Sequence, residues 1–492
     1  MNSWLAKFPG IPRDIQTELI QSLQANWELF DVFAISLGTG CGKTYISKCL
    51  MDNLYNVSYL APNNLLIDQY LANFPDEAVL KRMDSYWCET WAQPCSATRG
   101  KYKGFCARDL RCSGCEAVKK AISAAKYRNG PIVSNYHIFE SYKLNREVLI
   151  FDEGHNILPI IKSFLGKTLW QHDLKYPDQM YSQAYMLKWL ESQPKEKLAK
   201  GKLKLLYNNL ISKEPEYIIH RTTKPFNGKG TRRGEPQDRD CLELQPVYIT
   251  GDNIPKYFWN RGAKKLIILS ATIGRKDIEE LDLHSSFSKR VLYMECKSPI
   301  PPENRALHFI PTTSVTHANL AQAADKLAIQ IEKLAQKHIN EKGVVHATYQ
   351  LAKLLRERLG SNPRYLFHTG ETKAKIYAQF RESTEPKILV ASGMYEGIDL
   401  PEDLGRWQVI SKIPWPSLGN PAIKYKMERD EEWYYWETMK SVIQACGRIC
   451  RSEQDWGINY VLDITWKRLY INCVRLDLLP KWFSESIMEN EK

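Results

Sequence analysis

The run Ser36-Leu37-Gly38-Thr39-Gly40-Cys41-Gly42-Lys43-Thr44 lies between two segments of different periodicity. Before it, Val32-Phe33-Ala34-Ile35 is short, apolar and partly β-branched, which suits a buried strand; behind it, residues 43–54 carry apolar side chains at helical spacing. The order is strand, glycine loop, helix. Such a loop turns its backbone N–H groups inward around a phosphate, with glycine where the chain needs positive φ or close approach, and the helix N-terminus adds a favourable dipole. Lys43 can reach terminal phosphates and the Thr44 hydroxyl can ligate Mg²⁺. Gly38, Thr39, Gly40, Cys41, Gly42, Lys43 and Thr44 are therefore the candidate nucleotide-binding residues. Leu37 stands where this pattern usually opens with glycine.

A length of 492 residues calls for two to four domains, because single cores stop growing well below that size. A hydrophobic fraction of 43% and a charged fraction of 25% are those of a soluble globular protein. The net charge of +12 permits a polyanionic partner, although many basic soluble proteins bind no nucleic acid. No run approaches the roughly 20 apolar residues that span a bilayer, and MNSWLAKFPGIPRD lacks a charged region followed by an apolar core. A chain with no membrane partner, cytoplasmic or nucleoid-associated and not secreted, is the expectation. Its 12 cysteines then read as thiols or metal ligands rather than disulfides.

Residues 8–23 (FPGIPRDIQTELIQSL) form a turn leading into an amphipathic helix, with Arg13 and Gln16 on one face of its first turn. A second strand-to-loop junction follows at VSYLAPNN, residues 57–64. Composition then changes between residues 83 and 115, where Cys88, Cys95, Cys106, Cys112 and Cys115 fall among Trp, Tyr, Gly and basic residues, with no periodic apolar face to bury them. Four thiolates could hold Zn²⁺ or an iron–sulfur cluster, and Cys112-x-x-Cys115 suits both. Cys88, Cys106, Cys112 and Cys115 are the preferred set, with Cys95 as the alternate. A helical pattern covers residues 116–127, and residues 131–136 read as another strand.

Val148-Leu149-Ile150-Phe151-Asp152-Glu153-Gly154-His155 places two carboxylates after four apolar residues, at the edge where the phosphate loop sits. Asp152 is assigned to Mg²⁺ and Glu153 to the attacking water. Residues 159–240 are polar and helix-prone, with basic stretches KEKLAKGKLK and GKGTRRG, and read as an inserted helical module with a mobile basic loop. The strand pattern returns at residues 265–269, followed by Ser270-Ala271-Thr272, whose hydroxyls could bridge the carboxylates to a neighbouring domain.

A second α/β half opens with a helix over 319–339, then strands at 343–347, 387–392 and 407–413. Within it lie Met394-Tyr395-Glu396-Gly397-Ile398-Asp399-Leu400-Pro401 and a helix over 432–449, whose Trp433, Tyr434, Tyr435 and Trp436 read as core rather than as a base-stacking surface. That helix leads into Gln444-Ala445-Cys446-Gly447-Arg448-Ile449-Cys450-Arg451, which puts two arginines on one helical face. A guanidinium placed against a γ-phosphate stabilises charge developing there.

In this order SLGTGCGKT, APNN, DEGH, LSATI, MYEGIDLP and QACGRICR resemble the motif set of superfamily 2 helicases, and the two insertions resemble the XPD/DinG branch. The resemblance implies an α/β fold of two RecA-like parallel-sheet domains with ATP between them, a cysteine-rich iron–sulfur domain and a helical arch-like domain. Domain boundaries follow: RecA-like domain 1 from 1–80, 118–158 and 243–298; the iron–sulfur domain at 81–117; the arch-like insertion at 159–242; RecA-like domain 2 at 299–492. It implies an ATP- and Mg²⁺-dependent DNA helicase moving 5′ to 3′ on single-stranded or forked DNA, in DNA repair for instance, and a [4Fe-4S] cluster at the cysteines with zinc as the alternative. Arg13 and Gln16 would approach the adenine, Glu396, Gly397 and Asp399 would belong to the nucleotide site, and Gln444, Arg448 and Arg451 would sense the γ-phosphate.

Against the family pattern, Leu37 replaces a small residue, Gly154 stands where alanine is common, the arch-like insertion is short, and no nuclease-like domain is expected ahead of the phosphate loop. Two other functions stay open: a translocase or remodeller on DNA or RNA with little unwinding, and a phosphotransferase indifferent to nucleic acid.

Overall fold

The computed structural model describes residues 3–81, 87–88, 93–94, 130–170, 182–195, 201–211, 216–226, 237–249, 257–282, 289–394 and 400–488. Strands β1 (Val32–Ser36), β2 (Val57–Ala61), β3 (Val79–Leu80), β4 (Ile132–Asn135) and β5 (Val148–Asp152) come first along the chain. An insertion carries β6 (Lys167–Trp170), β7 (Glu216–Phe226) and β8 (Gln237–Tyr248), and β9 (Lys265–Ser270) and β10 (Val291–Glu295) complete the first half. The second half holds β11 (Leu307–Thr313), β12 (Gly343–Ala347), β13 (Tyr365–Phe367), β14 (Ile388–Ser392), β15 (Trp407–Ile410), β16 (Ile458–Asp463) and β17 (Ile487–Met488).

These strands make two seven-stranded parallel sheets, ordered β10-β1-β9-β5-β2-β4-β3 and β13-β14-β12-β15-β16-β11-β17. Strands β1, β2 and β5 are buried at every position, as expected when helices cover both faces of a parallel sheet. Alternation then decides which way each residue faces. Phe33, Ile35, Tyr59, Ile150 and Leu269 pack beneath helix α1 (Asp14–Asn26) and helix α2 (Lys43–Asn53), whereas Ala34, Leu60, Leu149, Phe151 and Ile268 face the opposite layer. Asp152 continues the Val148, Ile150 series and so points to the α2 side. In register, Ile35 pairs with Leu269 and Leu269 with Asp152, which sets the phosphate loop and the acidic strand end one strand apart.

The insertion departs from the helical reading of 159–242. Helices Gln183–Glu191 and Gly201–Ile211 are present, but β6, β8 and β7 form an antiparallel three-stranded sheet, and β8 runs past residue 242. The period-2 signal is masked by charge: Tyr217 and Ile219, and Leu242 and Leu244, alternate inward between Ile218, His220 and Glu243. The expected basic loop GKGTRRG lies outside the described residues, as do half of KEKLAKGKLK (196–200) and the helix expected over 116–127.

The helix expected over 432–449 is α3 (Glu431–Cys446), and it stops three residues early. Gly447 ends it, and a Cβ there would come within 2.6 Å of Thr39 in the phosphate loop, so the close approach of the opposite half requires glycine at this turn. Arg448 and Arg451 therefore stand in the turn after the helix, not on one helical face. Trp436, Tyr435 and Tyr434 are buried, in agreement with the core reading, whereas Trp433 is half-buried, with the Lys426 ammonium 4.2 Å from its ring centroid. The two halves dock through this same helix: Lys440 Nζ meets Asp277 Oδ1 at 2.7 Å, Trp436 Nε1 donates to Asp277 Oδ2 at 2.8 Å, and Lys276 pairs with Asp430 at 3.1 Å.

Candidate active site

At the end of β1 the chain passes through Leu37–Gly42 and enters α2. Leu37 is fully buried in the core and donates its N–H to Ser270 O at 2.8 Å, so it extends the strand and takes no part in the cradle. Gly40 (φ +80°) and Gly42 (φ +73°) adopt left-handed backbone, where a side chain is strained. Gly42 caps α2 without a side-chain hydrogen bond, which leaves the first N–H groups of the helix to a ligand. Lys43 at this end opposes the helix dipole. Its ammonium lies 3.2 Å from Glu153 Oε1; burial works against its charge, but Glu153 and Asp152 outweigh burial and hold its pKa above the ordinary value. Thr44 follows in the first turn of the same helix.

Asp152 is anchored on three sides. Its Oδ2 accepts from the Tyr59 hydroxyl at 2.6 Å, its Oδ1 from the Glu153 N–H at 3.0 Å, and its carbonyl from the Tyr136 hydroxyl at 2.6 Å. Burial and the neighbouring Glu153 charge push its carboxyl up; Glu153, despite burial, is pulled down by Lys43 and His155, with Arg448 adding to the effect. The chain turns sharply here: Glu153 has φ +48°, and a Cβ on Gly154 would collide with Ile268 Cγ2. Glycine at 154 is thus required by the packing of β9, and alanine does not fit.

No reading of the sequence assigns His155 a role, yet it joins the two halves. Its Nδ1 lies 2.8 Å from Ser270 Oγ and 3.1 Å from Thr272 Oγ1, and its Nε2 lies 2.8 Å from the Asn156 amide and 2.7 Å from the Gln444 amide. With two amides donating to Nε2, the ring carries its proton on Nδ1. Burial drives its pKa down to about 4, so the imidazole is neutral at ordinary pH. Ser270 and Thr272 do bridge toward the second half, but through His155 and Gln444 rather than by touching the carboxylates. Only the proximity of LSAT to DEGH on adjacent strands could have signalled this.

Other candidates also gather here. Gln16 Nε2 donates to Cys41 O at 3.0 Å, and its Oε1 accepts from the Arg13 N–H at 3.0 Å. A Cβ on Gly42 would collide with the Gln16 amide and lie 2.8 Å from Arg13 Nη2, so both side chains rest on the loop. A cavity of about 770 Å³ opens beside them, lined by Ile15, Glu18, Ser298 and, from the second half, Glu453. Arg451 presents its carbonyl to Gly40, where a Cβ would come within 3.0 Å, and its N–H meets Asp455 at 2.9 Å. Gly38 lies under Trp482.

Glu396, Gly397 and Asp399 fall outside the described residues. So do Cys95, Cys106, Cys112 and Cys115 and the side chain of Cys88. The donor set at the phosphate loop fits Mg²⁺: a hydroxyl at the first turn of α2 and a carboxylate fixed at a strand end are hard oxygen ligands.

Two family profiles match the chain: the Helicase C-terminal domain over residues 331–485, and the Type III restriction enzyme, res subunit, over residues 10–160. The chain is similar to the ATP-dependent DNA helicase DinG of Photobacterium profundum, 26% identical over 247 residues, covering 45% of this chain and 34% of that protein. It is also similar to the regulator of telomere elongation helicase 1 homolog of Drosophila ananassae, 28% identical over 126 residues, covering 23% and 12%. The chain therefore spans about a third of the first relative and an eighth of the second. Among solved structures, XPD_Helicase aligns with TM-score 0.59 at 15% identity over 95% of this chain and 98% of that one, and S. tokodaii Xpd4 with 0.58 at 12% identity over 97% and 100%. At those identities the likeness is one of fold.

Proposed function

We propose that this chain, an XPD/DinG-like member of helicase superfamily 2, is an ATP-hydrolysing motor that moves on single-stranded DNA, 5′ to 3′, and unwinds forked duplexes. The observation that carries the reading is the convergence on Glu153. Lys43 from the phosphate loop lies 3.2 Å from that carboxylate, and Gln444 from the opposite half lies 2.7 Å from His155, whose ring stands 3.5 Å from it.

Lys43 and the N–H groups of Gly40 to Thr44 would bind the phosphates. Thr44 and Asp152 would hold Mg²⁺, which when bound screens phosphate charge. Glu153, kept ionised by Lys43, orients the attacking water, and Arg448 and Arg451 meet charge developing on the γ-phosphate. Gln444 registers closure through His155. Because the cleft is shared, its opening follows hydrolysis, and a strand crossing both halves is gripped alternately through sequence-independent, salt-sensitive phosphate contacts.

Residues 81–117 would form the iron–sulfur domain, with Cys88, Cys106, Cys112 and Cys115 as ligands. Four thiolates suit a [4Fe-4S] cluster, and absorption near roughly 400 nm separates it from zinc. The test of the whole reading is ATP turnover with and without single-stranded DNA, alongside strand separation on a 5′-tailed fork. Turnover indifferent to DNA would overturn the motor. DNA-stimulated turnover without strand separation would reduce it to a translocase.

A further inference from the structure

Asp152 is held by two tyrosines that no motif contains, Tyr59 and Tyr136. A carboxylate's terminal torsion is soft, so a single tether would let the two oxygens exchange places. Here Oδ2 takes the Tyr59 hydroxyl at 2.6 Å while Oδ1 takes the Glu153 N–H at 3.0 Å. Tyr59 cannot swing away. It is 1% exposed, sits in the middle of β2, and its ring stacks on Tyr70 with centroids 4.4 Å apart and planes 28° apart.

Tyr136 works from the other face of the sheet. Its ring packs edge-on against Phe151 at 5.3 Å and its hydroxyl holds the Asp152 carbonyl at 2.6 Å. One tyrosine thus fixes the carboxylate and the other fixes the backbone that carries it. The strand pattern explains why this is possible: Tyr59 and Asp152 both face α2, whereas Tyr136 belongs to the opposite layer.

We propose that Tyr59 is a positioning residue for metal-bound nucleotide, setting the rotation of the Asp152 carboxylate. The inference rests on the nucleotide reading above. Outer-sphere partners of metal-binding groups are commonly worth tenfold or more in metal affinity, and Tyr59 occupies that place here.

The test measures affinity for a fluorescent ATP analogue in Mg²⁺ and in EDTA, using the full chain. Tyr59→Phe is expected to reduce the gain in affinity on adding Mg²⁺ by about tenfold, leaving affinity in EDTA unchanged. Tyr70→Phe, which removes a hydroxyl that does not touch Asp152, should leave the gain as in the wild type. A Tyr59→Phe protein with the full Mg²⁺ gain overturns the proposal, and so does equal loss in Mg²⁺ and EDTA, which would mark a packing role. If the Phe variant does not fold, 4-aminophenylalanine introduced at position 59, whose para N–H can donate from the place of the hydroxyl, replaces it: a retained gain supports the proposal, and a lost gain at unchanged Tm overturns it. A wild-type chain with no Mg²⁺ gain would instead sink the nucleotide reading itself.

Discussion

The two sheets share order and direction, yet their strand-to-helix junctions differ where chemistry is concerned. In the first, six residues, Leu37 to Gly42, separate β1 from α2, and the capping residue is a left-handed glycine with no side-chain hydrogen bond. In the second, after β12, which holds the place of β2 rather than of β1 in that order, Thr348 alone separates the strand from the helix Tyr349–Leu359, and its hydroxyl accepts from Leu351 N at 3.3 Å. One helix end is left open for an anion; the other is already satisfied by its own side chain. The fold is common to both halves, and the function lies in what is attached to its edges. The second half instead contributes side chains at the end of α3: Gln444 in its last turn, and Arg448 in the turn after it.

The sharpest way to break this contrast is at its two poles. Lys43→Ala and Arg448→Ala should each lower ATP turnover by about 10³-fold, with binding of a single-stranded oligonucleotide retained. Normal turnover in either, measured as phosphate release, would remove that residue from the site. A next, smaller effect is expected with pH. His155 is held neutral by burial, so its contribution to stability is present above about pH 6.5 and is lost as pH falls toward about 4. The cost is on the order of 2–3 kcal/mol. His155→Gln should flatten that part of the unfolding curve; an unchanged acid limb would show that the junction between halves does not depend on a neutral ring.

Gly154→Ala probes the turn that carries Glu153. The added methyl meets a β-branched side chain in a strand that has no room to shift, so a loss of about 1–3 kcal/mol is expected, read as a fall in Tm together with weaker turnover. The smallest effect sharpens the comparison from the inert side: Thr348→Ala should cost about 1 kcal/mol of stability and leave nucleotide affinity untouched. A loss of nucleotide affinity there would mean that the second junction is not the passive one.

Much of the site is legible in the sequence because its signals are local. Glycine spacing announces the phosphate loop, and four apolar residues before Asp152 announce the acidic strand end. Neither needs a partner distant in sequence. Two departures, Leu37 and Gly154, are visible there as departures only; the core position of one and the Ile268 contact of the other account for them. The insertion reads as helical because charged and polar residues such as Glu243, between Leu242 and Leu244, and His220, beside Ile219, hide a period-2 pattern that is half buried. That position 447 admits only glycine cannot be read from neighbouring residues, because what crowds it is Thr39, more than 400 residues earlier.

The sequence alone determined the parallel-sheet halves, the glycine loop between strand and helix and the paired carboxylates, since each is written in neighbouring residues through periodicity and backbone preference. Tertiary structure decided the rest: that Tyr59 reaches Asp152 across 93 positions, and that His155 meets Thr272 across 117 and Gln444 across 289. Those contacts depend on strand order and on the docking of one half against the other. Short-range pattern carries no information about either.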